Sequence, residues 1–179
     1  MTQVCLLGTA EVNLQYELLS RETARDALAA YDLREPFENA LGVETVSLGA
    51  AVALLNDLDW YLTRFVDDAL VLEPSITDSE WLSRNLAAAI RNDEVDPDST
   101  GRFLRIYGVI EGGDEQAAET ESASTGEDDG NEAPGKADAP PRLVEPMLVA
   151  RTSSGVPSYD LRDVDSTVVV RITESEFGA

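Results

Sequence analysis

The sequence predicts a single α+β domain: an about four-stranded sheet packed against a layer of three main helices, two of them forming an antiparallel helix hairpin. Three observations carry this. Strand-like runs stand near both ends of the chain, the apolar "QVCLL" (Gln3 to Leu7) and "STVVVRIT" (Ser166 to Thr173) with its three consecutive valines. Between them lies a long stretch whose apolar residues recur at three- and four-residue spacing, the period of a helix face. Two further β-like runs, "RFLRIYGVI" (Arg102 to Ile110) and "MLVAR" (Met147 to Arg151), flank Glu111 to Pro141, a stretch without Val, Ile, Leu, Met or an aromatic residue.

Taken in order, "QVCLL" is the first strand, with the lone Cys5 as a small buried thiol. Residues 10–19 fit both periods, and the spacing of Val12, Tyr16 and Leu19 favours a helix running on into Thr23. "SRETARDALAAY" has Ser20 as N-cap and Ala24, Ala27 and Leu28 on one face. After Pro36 a new helix starts at Ser47. Leu48, Ala51, Leu55, Leu58, Leu62, Phe65, Ala69 and Leu72 form one apolar stripe, and Pro74 forbids continuation. "TDSE" then supplies a capping box, Thr77 with Glu80, and a hydrophobic staple, Ile76 with Trp81, for a helix reaching Arg91 and folding back on its predecessor. Glu111 to Pro141 cannot build a core and is expected to be a disordered acidic insertion in a hairpin loop, leaving 1–110 and 142–179 as one globular domain; its alternative role is a partner-binding loop.

The charge is far from ordinary. Thirty-five acids face thirteen bases, a net charge of −22, and twelve of the bases are Arg. The insertion carries ten acids and one lysine, so the rest of the chain is acidic as well. Such a surface repels itself in dilute buffer, whereas in molar salt, with a Debye length of about 3 Å, the repulsion is screened. The composition is read as adaptation to a salty cytoplasm. Strong screening also removes acidity as a sign of a basic ligand. Nucleic acid is not expected as a partner, because the arginines are scattered rather than striped. The start "MTQVCLLGTAEV" reads as neither a signal peptide nor a membrane span, and one cysteine allows no internal disulfide; a cytoplasmic location without membrane association is expected.

The residue inventory narrows the chemistry. Histidine is absent, which excludes histidine triads, bases and metal sites, and the only lysine, Lys136, lies in the insertion. No cofactor is expected. For an enzyme, carboxylate chemistry with or without Mg²⁺ remains, and its best candidates are Asp96 and Asp98 in "DPDSTGR". That stretch begins like a calcium loop but puts Tyr107 where the bidentate Glu belongs, so it reads better as a turn with Asp96 capping Pro97. The other singular feature lies in "NDLDWYLTRFVDD" (Asn56 to Asp68). At about 100° per residue, Trp60 and Arg64 project to the side away from the apolar stripe. Four residues apart, they can stack as an indole–guanidinium pair, the kind of anchor used at protein interfaces. The alternative is that Trp60 packs under another segment of the same chain, such as "LREPFENAL" (Leu33 to Leu41).

The stretches "YDLREPFENALGVETVSLGAAVALLNDLDWYLTRF", "TGRFLRIYGV", "PPRLVEPMLVAR" and "VVVRITESEFGA" together resemble an uncharacterised family of proteins from salt-loving archaea. The resemblance implies a lineage-restricted housekeeping or regulatory role and carries over no catalytic residue. The expected function is therefore a non-enzymatic interaction or regulatory protein whose partner, another protein, meets a surface including Trp60 and Arg64. The alternative is a carboxylate- or Mg²⁺-dependent enzyme on Asp96 and Asp98.

Overall fold

The computed structural model describes residues 1–111 and 139–178, and among these the fold is mixed α+β. The sheet has seven strands rather than four: β1 (Thr2–Gly8), β2 (Ala40–Thr45), β3 (Val66–Leu72), β4 (Trp81–Ser83), β5 (Phe103–Ile110), β6 (Arg142–Ala150) and β7 (Ser166–Arg171), in the order β2-β1-β3-β4-β7-β5-β6. Among the described residues six α-helices accompany it: α1 (Leu14–Leu19), α2 (Glu22–Leu28), α3 (Leu48–Asp57), α4 (Asp59–Phe65), α5 (Arg84–Arg91) and α6 (Glu174–Gly178). The pairs β2–β1, β1–β3 and β3–β4 are antiparallel, as are β7–β5 and β5–β6. The two antiparallel groups meet in one short parallel pair, Trp81 beside Val170 and Leu82 beside Arg171.

Both faces of the sheet are covered near its middle, as the strand sequences require. Along β1, Val4 and Leu6 enter the core shared with α1 to α5, whereas Cys5 and Leu7 enter a second, smaller apolar cluster on the far face. Along β3, Ala69 and Val71 face the helices and Leu70 faces away. Phe37, Trp81, Phe103, Tyr107 and Phe177 of α6 pack against the far cluster. Cys5 is buried there, and burial, reinforced by the charge of Asp68, pushes its thiol up to about 12, well above reactive range.

The largest correction concerns the helix expected from Ser47 to Leu72. Ser47 does cap α3, its hydroxyl accepting from the Ala50 amide at 3.1 Å, and the stripe Ala51, Leu55, Leu58 and Leu62 is buried. Leu58 bends the helix into α4, and at Val66 the backbone turns extended, φ −122° and ψ 125°. The Phe65 carbonyl is taken by the Thr9 amide at 3.0 Å, and Val66 pairs with Gly8 of β1 across a bulge. Ala69 and Leu72 keep helical spacing by coincidence. A strand covered on both faces is a continuous apolar run, and "ALVL" fits that as well as it fits a helix. The expected helix hairpin is therefore replaced by a strand hairpin, β3–β4, that carries α5 back against α3.

The second correction follows from the first. Thr77 accepts from the Ser79 and Glu80 amides, both at 3.3 Å, as a capping residue would. Yet Glu80 does not reach back. Its carboxylate accepts two 2.7 Å hydrogen bonds from Arg151 and one of 2.7 Å from Arg171, and the chain continues as β4. Ile76 and Trp81 pack on opposite sides of the sheet, so no staple forms. The helix starts at Arg84, capped by Ser83 Oγ accepting from the Leu86 amide at 3.2 Å. Ala24 and Leu28 of α2 are buried as expected, and β5 pairs with β6 from Phe103 beside Ala150 to Ile110 beside Arg142. Ser20, expected as the N-cap of that helix, instead ends α1, which Asn13 caps, and α2 starts after Arg21 with no side-chain cap. Residues 112–138, most of the expected disordered insertion, lie outside the described residues.

Candidate functional site

The surface of α4 is built on a tight base. Tyr61 and Leu62 are buried against the helical core, and the Arg84 guanidinium of α5 meets Asp59 at 2.8 Å, tying the start of α4 to the neighbouring helix. With 3.6 residues per turn, burying Tyr61 and Leu62 leaves Trp60 and Arg64 on the outer side. Trp60 is 49% exposed.

Its neighbours hold it in place. The Arg64 guanidinium carbon lies 3.8 Å from the indole centroid, and Nη1 donates to the Trp60 carbonyl at 2.8 Å, so the side chain folds back along its own helix. Tyr61 meets the indole edge-on at 5.0 Å and Phe65 at 6.4 Å. A third residue joins from the turn between α1 and α2: the Arg21 guanidinium carbon stands 5.7 Å from the indole and 5.0 Å from the Phe65 ring, with Nη2 donating to Glu17 at 3.2 Å. Arg21 Nε is buried without a hydrogen-bond acceptor. The expected pairing of Trp60 with Arg64 is thus present. Arg21 was not legible, because it lies 39 residues earlier and only the packing of α1 on α4 brings it there.

The other candidates are placed differently. Asp96 and Asp98 are both exposed, and the Asp96 carboxylate accepts from the Asp98 amide at 3.0 Å to cap a 3-10 turn, Pro97–Ser99. That is the turn read from "DPDSTGR". The two carboxylates do not converge on a cleft, and among the described residues no group of three acids or thiols is arranged to hold a metal ion. A cleft of about 410 Å³ opens instead on the far face, lined by residues including Phe37, Glu38, Asp67, Arg105 and Tyr107.

Behind this cleft lies a polar network that no local sequence pattern marks. Asp68 lies on the same side of β3 as Leu70, away from the helices. Arg105 and Tyr107 of β5 both donate to Asp68 Oδ2, at 2.5 and 2.8 Å. Glu176 of α6 stands 3.9 Å from Arg105 and accepts from Ser83 at 2.8 Å. Burial and the Asp68 charge push the Tyr107 phenol far up, so it stays protonated. Burial alone would lower Arg105, but Asp68, Tyr107 and Glu176 together outweigh it and the guanidinium is held more firmly charged. The groups are hydrogen-bonded or ion-paired to one another, which suits a bolt between the two halves of the sheet.

Fold and site together define a mixed α+β protein with α1 to α5 on one side of a seven-stranded sheet, α6 on the other, and an arginine-framed, half-exposed tryptophan on the larger helical surface. The chain belongs to the family of unknown function DUF5804, whose model matches residues 2–109. No curated protein and no solved structure matches it. The match takes in Trp60, Arg64 and Arg21. No helix among the described residues is long and apolar enough to cross a membrane.

Proposed function

We propose that this is a non-enzymatic interaction or regulatory protein of a high-salt cytoplasm, and that it binds a partner protein through the surface formed by Trp60 and Arg64 with Arg21. One observation carries the reading: an indole that is half in solvent while its helix is locked and its ring is stacked. A large rigid aromatic with few rotamers to lose is the residue type that dominates binding energy at interfaces. Its exposure also argues against burial under Leu33 to Leu41 of the same chain. No specific observation favours the alternative enzyme on Asp96 and Asp98, which face solvent at a structural turn.

The test is affinity capture from a native lysate kept in molar KCl, comparing wild type with Trp60→Ala at equal loading. A partner captured by wild type and lost from Trp60→Ala is the expected result. If both capture the same proteins equally, the surface reading is wrong.

A further inference from the structure

The patch also says what kind of partner segment it fits, and this inference rests on the proposed reading of the Trp60 surface. We infer that the patch docks an acidic segment of a partner protein, one that sets an Asp or Glu carboxylate against Arg64 and Arg21 and an apolar side chain against Trp60.

The argument is charge complementarity. Among the described residues, six of the twelve arginines pair with carboxylates, Arg21, Arg34, Arg84, Arg105, Arg151 and Arg171, whereas Arg25, Arg64, Arg91 and Arg102 do not, and of these four only Arg64 lies on the indole of Trp60. Arg64 has no carboxylate partner among the described residues. Its one hydrogen bond goes to the carbonyl of Trp60, and the guanidinium rests on the indole. A guanidinium has five N–H donors, so most of those on Arg64 are left for an incoming acceptor. Arg21 is balanced by one contact to Glu17, and its Nε has no acceptor. The patch thus holds one guanidinium without a carboxylate on a strongly anionic molecule, and stacking holds that cation still. Carboxylate is the acceptor that answers a planar guanidinium in bidentate fashion. Because molar salt screens charges beyond about 3 Å, only a partner in direct contact feels this cation. An apolar neighbour covering the indole would supply that closeness.

The experiment selects from a library of short displayed peptides, randomised around one fixed Leu or Phe, on the immobilised full chain in molar KCl, with counter-selection on Trp60→Ala. Melting curves first establish that the variants are folded. The expected outcome is Trp60-dependent sequences enriched several-fold in Asp and Glu. In a Trp81→Phe background, where Trp60 is the sole indole, a selected peptide should shift the emission. Arg64→Gln should then weaken binding about five-fold, as loss of one exposed charge contact does. Selected sequences with no charge preference, or enriched in Lys and Arg, overturn the inference, as does a selection that yields no Trp60-dependent sequence. Sedimentation gives a further decisive result: a wild-type dimer that Trp60→Ala dissociates would show that a second copy occupies the patch. If lysate capture remains Trp60-dependent while the peptide result fails, the surface stands and only the partner chemistry is refuted.

Discussion

At the scale of single residues, two side chains hold more of the fold than their sequence neighbourhoods suggest. Asn39 has a left-handed backbone, φ 58°, a conformation asparagine tolerates better than most residues. Its amide donates to the Thr9 and Val12 carbonyls at 2.8 and 2.9 Å and its oxygen accepts from the Leu14 amide at 2.8 Å. Asn39→Ala should cost about 3 kcal/mol in chemical denaturation, and Asn39→Gly about 1 kcal/mol less because it relieves the backbone. Equal losses would mean that backbone strain plays no part. Gly8 belongs to the same knot, since a Cβ there would meet Asn39 Nδ2 at 2.7 Å. The second residue is Glu80. Burial pushes its carboxyl up, but the hydrogen bonds and charges of Arg151 and Arg171 outweigh that and leave it below its usual 4.5. A carboxyl depressed in the folded state stabilises above its unfolded pKa, and that contribution is lost as pH falls through the folded value. Glu80→Gln should therefore cost about 2 kcal/mol at pH 7, and the gap to wild type should close as denaturation is measured progressively below pH 4.5.

At the scale of elements, the boundary between helix and strand is where sequence and structure part. The true N-cap of α5 is Ser83, whose hydroxyl also donates to Glu176, whereas Thr77 caps a turn that does not continue. Ser83→Ala should lower stability by about 1 to 2 kcal/mol, and Thr77→Ala by under about 0.5 kcal/mol. The reverse ranking would restore the longer helix. The helices α2 and α5 were legible because each has one exposed face to set its period, whereas β5 and β7 were legible as runs rich in β-branched and aromatic residues. β2 was passed over although Leu41, Val43 and Thr45 alternate, because Pro36 and Asn39 made the whole region read as a break. β3 failed for a different reason, since a doubly covered strand has no polar face to set its period. The surface pair Trp60 and Arg64 was legible from helical angle alone; Arg21 and the Asp68–Arg105–Tyr107 bolt depend on pairings between distant strands and helices, which no local pattern encodes.

At the scale of the whole molecule, charge and topology set the behaviour. The melting temperature should rise steeply between low and molar KCl, because screening relieves repulsion among surface acids. A melt unchanged across that range would refute the high-salt reading. The sheet's two antiparallel groups are joined through β4, only three residues long, and by the Asp68 bolt beside it. The family match ends at residue 109, before β7, yet β7 is the strand lying between β4 and β5. Residues 2–109 therefore do not contain the complete sheet. A last consequence concerns handling of the protein. Ile110 and Arg142 are cross-strand neighbours, about 5 Å apart as any antiparallel pair is. The chain leaves and re-enters the sheet at practically one point, which makes the stretch between them a splice port: a reporter domain whose own termini lie close together can be seated there without moving either strand.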